Sequence, residues 1–305
     1  MHDYALLDSG HGQKLERFGQ HLVVRPSPQA LWAPALDETR WGAAEARYER
    51  SSRGGGSWNP SDALPESWEC TVGAQRFRIK PTGFGHMGVF AEQAPFWEWI
   101  TEQACPGHEV LNLFAYTGGS TIAAARGGAS VTHCDASKGV VQWASDNAGL
   151  NDLVHAPIRW IIDDALKFLR REARRERRYH GVILDPPSFG RGPRGQVFKL
   201  EESVGDLLDA CVDVLTDDFA FVLFSAHTPG IGAVALRNLL HVALERRFGA
   251  DVDRGGSAHG EMWIEGDRNT LPLPSGTWSA WARNGRLPSA DPWAAARGFD
   301  PGARA

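Results

Sequence analysis

The stretch "ILDPPSFG", Ile183 to Gly190, ends an apolar run with an acid, two prolines, a hydroxyl residue and an aromatic. Proline has no N–H for a ladder and fixes its own φ, so a single one is enough to stop a strand. Two in succession hold the segment extended and present Asp185, the Pro186 carbonyl, Ser188 and Phe189 in a set geometry. An ordinary strand exit accounts for the same residues equally well. Two other apolar runs also end in acids, at Asp135 and at Asp163 with Asp164, and the loop "FAYTGGST" ends a further one.

What must position these groups is legible in the texture of the chain. From about residue 108, "EVLNLFAY", "SVTHCDAS", "PIRWIIDDA", "HGVILDPP" and "FAFVLFSA" read as strands. Between and after them, "GGSTIAAARGGA", "KGVVQWASDNAGLN", "LKFLRREARRERR", "DLLDACVDVL" and "IGAVALRNLLHVALERRFG" read as helices. Such alternation implies right-handed βαβ units on a doubly wound parallel sheet. Ligands of these sheets sit outside the carboxyl ends of the strands, where strand order reverses. The rule gathers Tyr116 to Gly119, Asp135 to Ser137, Asp163 and Asp164, Asp185 to Phe189, and Ser225 to Thr228 on one edge. Three of those five ends carry Asp, each after a different strand. Ahead of them, residues 1–80 alternate short apolar runs with turn residues, which predicts a small β-rich module. Residues 81–285 form the main domain, and the Ala-, Gly-, Pro- and Arg-rich tail, 286–305, is expected to be loosely held.

The loop after the first strand of the sheet opens a helix, yet it is neither GxGxxG nor a P-loop. Gly118 and Gly119 let backbone approach a ligand that has no pyrophosphate. Asp135 is placed to accept both hydroxyls of a ribose, and Asp163 with Ala165 to meet an adenine. The expected ligand is an adenosine with a non-phosphate tail.

At these separations "NLFAYTGGSTIAAA", "DAS", "DDALKFL" and "ILDPPSFG" resemble the class I S-adenosylmethionine-dependent methyltransferases, and within them the bacterial 23S ribosomal RNA (cytosine-5 / guanine-N7) branch. The resemblance spans roughly residues 75 to 230 and takes in "KPTGFGHMGVFAEQAPFW". It implies a seven-stranded Rossmann-like sheet with S-adenosyl-L-methionine as cofactor. Phe90 and Gln93 would flank that cofactor, and Phe114, Tyr116 and Gly118 would form its methionine pocket. Asp135 would bind the ribose, with Ala136 and Ser137 counted in the same site, and Asp163 and Asp164 would lie at the adenine. In amino-methylating relatives the acid, the prolines and the aromatic after the fourth strand accept an N–H and stack its ring. The resemblance thus implies Asp185, Pro186 and Phe189 as the catalytic group, with ribosomal RNA as the acceptor. Members that methylate cytosine carbon 5 need a thiolate in a Phe-Ser-Cys pattern, and here "FSAHTPG" puts Ala226 at that place. Nitrogen methylation is favoured. His227 reads as a base for an oxygen acceptor or as a loop residue, with the loop reading ahead.

The bulk composition excludes little and frames the rest. The chain has 305 residues, 42% of them hydrophobic, with a net charge of −5, which gives no general invitation to nucleic acid. Its 12 tryptophans are expected to be packing anchors. The four cysteines, Cys70, Cys105, Cys134 and Cys211, show no paired spacing, against a disulfide framework or a metal site. No apolar run reaches the length of a membrane span and the start lacks a signal pattern, so a cytoplasmic protein is expected, of undetermined oligomeric state. The run "RREARRERR" is expected to be a solvated face far from the ligand edge. Arg191, Arg194 and Lys199 are candidates for phosphate contact, with Lys14, Arg17 and Arg25 extending that patch. An acceptor that is a protein or small molecule, or a noncatalytic binding module, remains the alternative. A dehydrogenase is the weakest reading, because its glycine fingerprint is missing.

Overall fold

The computed structural model describes residues 4–51, 55–191, 197–267, 270–289 and 291. By internal contacts the chain divides into two compact units. One comprises Met1–Ala94, Asp146–Asp152 and Trp263–Ser275; the other comprises Pro95–Ser145, Leu153–Met262 and Gly276–Ala305.

The first unit is β-rich. Strands β1 (Tyr4–Gly10), β2 (Gln13–Phe18) and β3 (His21–Pro26) precede a short helix α1 (Glu38–Gly42). With β4 (Ala46–Arg50) and β5 (Gly56–Asn59) they form one sheet in sequential order. β6 (Trp68–Val72) and β7 (Gln75–Ile79) form a separate hairpin. His11 and Gly12, with φ of 48° and 75°, turn β1 into β2, because a two-residue hairpin loop with positive φ matches the twist of its strands. The register of β1 shifts between Leu6 and Asp8, and the buried Asp8 carboxylate accepts from the Leu36 N–H at 2.8 Å and from Trp41 Nε1 at 2.9 Å. Glu16 is likewise fully buried, and receives Arg25 Nε at 2.6 Å, Arg25 Nη2 at 2.7 Å and the Tyr4 hydroxyl at 2.9 Å. Lys14 Nζ lies 3.2 Å from the same carboxylate. Lys14 and Arg25 therefore belong to a buried charge cluster, a correction to their expected place on a phosphate-binding patch. Arg17 is turned to the Gly19 carbonyl at 3.1 Å.

The second unit is built on a seven-stranded sheet of order β10-β9-β8-β11-β14-β16-β15. Its strands are β8 (Glu109–Leu113), β9 (Ser130–Asp135), β10 (Ile158–Ile162), β11 (Gly181–Leu184), β14 (Phe221–Ala226), β15 (Gly256–Ile264) and β16 (Leu273–Ala282). A small hairpin, β12 (Phe189–Arg191) and β13 (Val197–Lys199), follows β11. The helices are α2 (Ala94–Gln103), α3 (Gly119–Arg126), α4 (Lys138–Leu150), α5 (Ala165–Arg174), α6 (Leu200–Asp213) and α7 (Ala233–Phe248). Every strand pair from β10 through β14 is parallel, while β16 runs antiparallel to β14. β11 and β14 are buried at every position, as strands covered on both faces must be. The chain moves outward from β8 through β9 to β10 and then returns to β11 on the other side of β8, so strand order reverses between β8 and β11. Trp97, Trp99, Trp143, Trp278 and Trp281 are all buried, as packing anchors should be. Among the described residues no helix is long and apolar enough to cross a membrane.

Candidate active site

Register alone brings the expected site residues of the second unit to one edge. Leu113 of β8 pairs with Cys134 of β9 and with Leu184 of β11; Cys134 pairs with Ile161 of β10, and Leu184 with Phe224 of β14. The next residues along these parallel strands are Phe114, Asp135, Ile162, Asp185 and Ser225, so the ends are level. They flank the reversal point, where a crevice for a ligand forms.

Beyond β8 the backbone is strained. Phe114 and Tyr116 have φ of 53° and 47°, and Gly118 has φ of 90°. Bulky residues there cost about 1–3 kcal/mol each, and such outliers persist where the surroundings enforce them. Asp135 does the enforcing on one side: its Oδ2 accepts the Tyr116 N–H at 3.1 Å and its Oδ1 the Ser137 N–H at 2.9 Å. Burial pushes the Asp135 carboxyl above the usual aspartate range, against the lowering effect of the Ser137, Tyr116 and Ala136 N–H groups. Ala136 and Ser137 are exposed beside it. Gly118 and Gly119 begin α3, and a Cβ on Gly119 would fall 2.6 Å from the Trp97 ring. Their absence of side chains is a packing requirement.

The acids after β10 have different partners. Asp164 caps α5, its Oδ1 accepting the Lys167 N–H at 2.9 Å. Asp163 Oδ1 accepts the Asp164 N–H at 3.0 Å, and its Oδ2 is held by Arg171 Nη1 at 2.6 Å. Arg171 therefore works at the ligand edge, which corrects the expectation that the whole arginine run lies far from it. Others of the run match it: Arg177 reaches Glu109, at the start of β8, at 3.0 Å.

Asp185 is tied to the neighbouring strand end. Ser225 Oγ donates to Asp185 Oδ1 at 2.8 Å, and His227 Nε2 lies 3.5 Å from Asp185 Oδ2. Thr228 Oγ1 donates to Ser188 Oγ at 2.9 Å. His227, in the loop that follows β14, lies beside this cluster. Pro186 is buried and the Phe189 ring is 51% exposed. The hairpin that follows packs Phe198 against Phe114, with centroids 5.8 Å apart. Lys199 Nζ pairs with Glu202 at 2.7 Å; Arg194 and the Arg191 side chain lie outside the described residues.

Phe90 and Gln93 belong to the first unit, at the two ends of a 3-10 turn in which the Gln93 N–H donates to the Phe90 carbonyl at 3.1 Å. The remaining expected residues all gather at the strand ends. Sequence reasoning gave too little weight to Arg171.

This edge fits a cationic adenosine donor. It offers a ring of carboxylates, strained backbone at close range and no Gly-rich phosphate cradle, so a nucleoside with a positive sulfur suits it better than a nucleotide. No thiolate is available there. Cys134 is fully buried, with its thiol pushed up to about 12 by burial and by Asp163, Asp135 and Asp164.

Comparison with known proteins agrees with this geometry. The S-adenosylmethionine-dependent methyltransferase family profile matches residues 15–233. A solved S-adenosylmethionine-dependent methyltransferase from Agrobacterium tumefaciens is 37% identical, with a TM-score of 0.84, over 93% of this chain and 91% of that one. Among curated proteins, the ribosomal RNA large subunit methyltransferase K/L of Syntrophotalea carbinolica is 28% identical over 191 residues, 62% of this chain and 24% of its own length. Its counterpart from Shewanella sp. (strain ANA-3) is 32% identical over 144 residues, 46% of this chain and 20% of its own length. The chain thus spans a quarter or less of these curated relatives. With the strand-end site and the family match over most of its length, the chain belongs to the S-adenosylmethionine-dependent methyltransferases, enzymes of the class I Rossmann-like fold.

Proposed function

We propose that the protein methylates a nitrogen of a base in ribosomal RNA, working in the cytoplasm. In this reading Asp135 takes the ribose of S-adenosylmethionine, with Ala136 and Ser137 beside it. Phe114, Tyr116 and Gly118 enclose the methionine end, Phe90 and Gln93 flank the cofactor, and Asp163 and Asp164 mark the adenine end. The bound donor supplies a methyl group already activated by its positive sulfur. What the chain must add is positioning of the acceptor.

The observation that carries the reading is the state of the Asp185 loop. Ser225 occupies one carboxylate oxygen and fixes the other, while an exposed Phe189 ring stands four residues along an extended, proline-held segment. Asp185 and the Pro186 carbonyl then accept the N–H of the acceptor, and Phe189 stacks its ring. Carbon methylation needs a thiolate adduct, and Ala226 together with the buried Cys134 gives none at this edge. The ribosomal RNA of the curated relatives' names supports the choice of acceptor.

The test separates the two roles. Asp185→Ala is expected to abolish turnover while leaving affinity for the cofactor product nearly intact, because its contact is with the acceptor. Phe189→Ala is expected to weaken acceptor binding by about 1–3 kcal/mol through lost stacking. An Asp185→Ala enzyme with full turnover overturns the positioning role. Unchanged RNA affinity in Phe189→Ala removes the ring from the acceptor site.

A further inference from the structure

We propose that α5 and the cleft at its far end form a phosphate-binding track that holds the acceptor RNA by its backbone, outside the methyl-transfer site. The inference rests on the reading of ribosomal RNA as the acceptor, and it names the surface that grips the strand beyond the reacting nucleotide.

Residues 165–178 carry seven basic residues and two acids, in a chain whose net charge is −5. Six of the seven are arginines, whose planar forks match phosphate oxygens two at a time. One face of the helix, with Ala165, Phe168, Leu169 and Glu172, is buried. The acids within reach do not neutralise the rest. Asp163 takes Arg171 at 2.6 Å and Lys167 at 3.5 Å, while Glu172 takes Arg159 at 3.0 Å and Arg175 at 3.9 Å. Arg170 and Arg174 are exposed and meet no acid among the described residues. They stand one turn apart, the spacing at which like charges repel. The pull of a helix C-terminus on cations accounts for Arg174 and Arg175, in the last turn and at the cap, but not for Arg170, which precedes that turn.

The run has a direction. Asp164 caps α5 at the ligand edge, and ten residues of helix carry the chain about 15 Å toward the opposite edge of the sheet. There a cleft of about 330 Å³ opens at the amino ends of β8, β9 and β10, with Glu109, Ser130, Ile158, Arg159 and Arg177 in its walls. The Arg177 and Arg159 side chains are 45% and 37% exposed, and each guanidinium keeps N–H donors beyond those given to Glu109 and Glu172. Arg159, Arg175 and Arg177 share those two carboxylates, which leaves positive charge in excess at the cleft. A strand reacting at the ligand edge follows α5 to this cleft, its phosphates meeting Arg170 and Arg174 on the way. Such contacts position the RNA and carry no sequence information, so the choice of base stays with the Asp185 loop.

The test measures binding of undermethylated ribosomal RNA against salt concentration for three proteins. They are the unsubstituted chain, Arg170→Gln with Arg174→Gln, and Arg237→Gln with Arg254→Gln, which removes the same charge elsewhere in the second unit. Neither replaced arginine of α5 holds an acid, so that variant should keep its melting temperature and its affinity for S-adenosylhomocysteine. Its plot of log Kd against log salt should be shallower by about 1.4 to 1.8, the share of two phosphate contacts, and its RNA affinity about 25- to 60-fold weaker at 0.1 M salt. Its kcat at saturating RNA should hold while KM rises, and the control pair should leave the slope alone. An unchanged slope in the α5 variant overturns the track and leaves RNA as the acceptor. An equal loss of slope in the control pair reduces the effect to net charge and also overturns it. Absence of salt-dependent RNA binding by the unsubstituted protein overturns both the track and the ribosomal RNA reading. Vesicles containing phosphatidylserine are titrated in parallel, and an α5 variant that loses vesicle binding but keeps RNA binding assigns these arginines to a membrane surface, against the proposal.

Discussion

At Asp135 burial and backbone hydrogen bonding pull in opposite directions. The carboxyl is raised by burial and still accepts backbone N–H groups, so its charge is held in place at some cost to the free protein. Asp135→Ala is expected to weaken calorimetrically measured binding of S-adenosylhomocysteine by about 1–3 kcal/mol, the loss of charge-assisted contacts to a ribose. The pH dependence has a defined sign. Because the carboxyl protonates at higher pH than an ordinary aspartate, affinity should start to fall above the usual aspartate range as pH is lowered, and Asp135→Asn should lack that fall. Unchanged affinity in a folded Asp135→Ala protein would remove the residue from the site. Cys134, one residue earlier, faces the other way into the core. Its thiol, pushed up to about 12, is protonated at working pH, so Cys134→Ser should keep methyl transfer. Loss of transfer with normal folding and cofactor binding would revive a covalent mechanism.

At the scale of elements, the strand ends were legible because the apolar runs of β9, β10 and β11 each stop at an Asp, and the parallel register brings those ends to one edge. The two strands completing the sheet were not legible from pattern. "GSAHGEMWI" and "LPSGTWSAWA" carry Gly, Ser and Pro, residues depleted in strands, and edge and antiparallel pairing tolerates them. Arg171 was missed for a geometric reason. It lies eight residues beyond Asp163, yet helical side chains lean toward the N-terminus, and a long one reaches back to that carboxylate. The elements behind the cofactor loop are tied by a buried polar group that pattern analysis also passed over. Asn112 of β8 donates to Thr121 Oγ1 of α3 at 2.9 Å, and Thr121 Oγ1 meets His133 Nδ1 of β9 at 2.9 Å. Burial lowers the His133 pKa from 6.5 to about 3. Between those values the unfolded chain binds a proton that the native protein refuses, so stability falls as pH drops below 6.5, by about 1.4 kcal/mol per pH unit. Denaturant melts at pH 7 and pH 5 should therefore show the unsubstituted protein losing about 2 kcal/mol more than His133→Leu across that interval. Equal losses would show that His133 titrates normally.

For the whole molecule, the charge balance matters more than its sum. The net charge is −5, and Lys14 and Arg25 are used internally on Glu16 in place of the basic patch that part of the sequence evoked. Burial alone would raise the Glu16 carboxyl, but Arg25 and Lys14 overcome it and hold it at about 2. Its folded pKa lies below its unfolded value, so the stability it contributes is present above pH 4.5 and lost as pH falls toward 2. Glu16→Gln should destabilise the protein by about 3–5 kcal/mol at neutral pH, because it strands two buried cations, and a melt shifted by much less would mean the cluster is solvated. On the proposed reading, acceptor recognition comes from local groups such as Phe189 and Asp185, on a chain whose family and cofactor are shown by the match along its length. The most direct measurement incubates the protein with undermethylated ribosomal RNA and cofactor labelled in the methyl group, followed by nucleoside analysis. Label in a single N-methylated nucleoside is the predicted result; label in 5-methylcytosine, or only in protein or small molecules, would contradict the account.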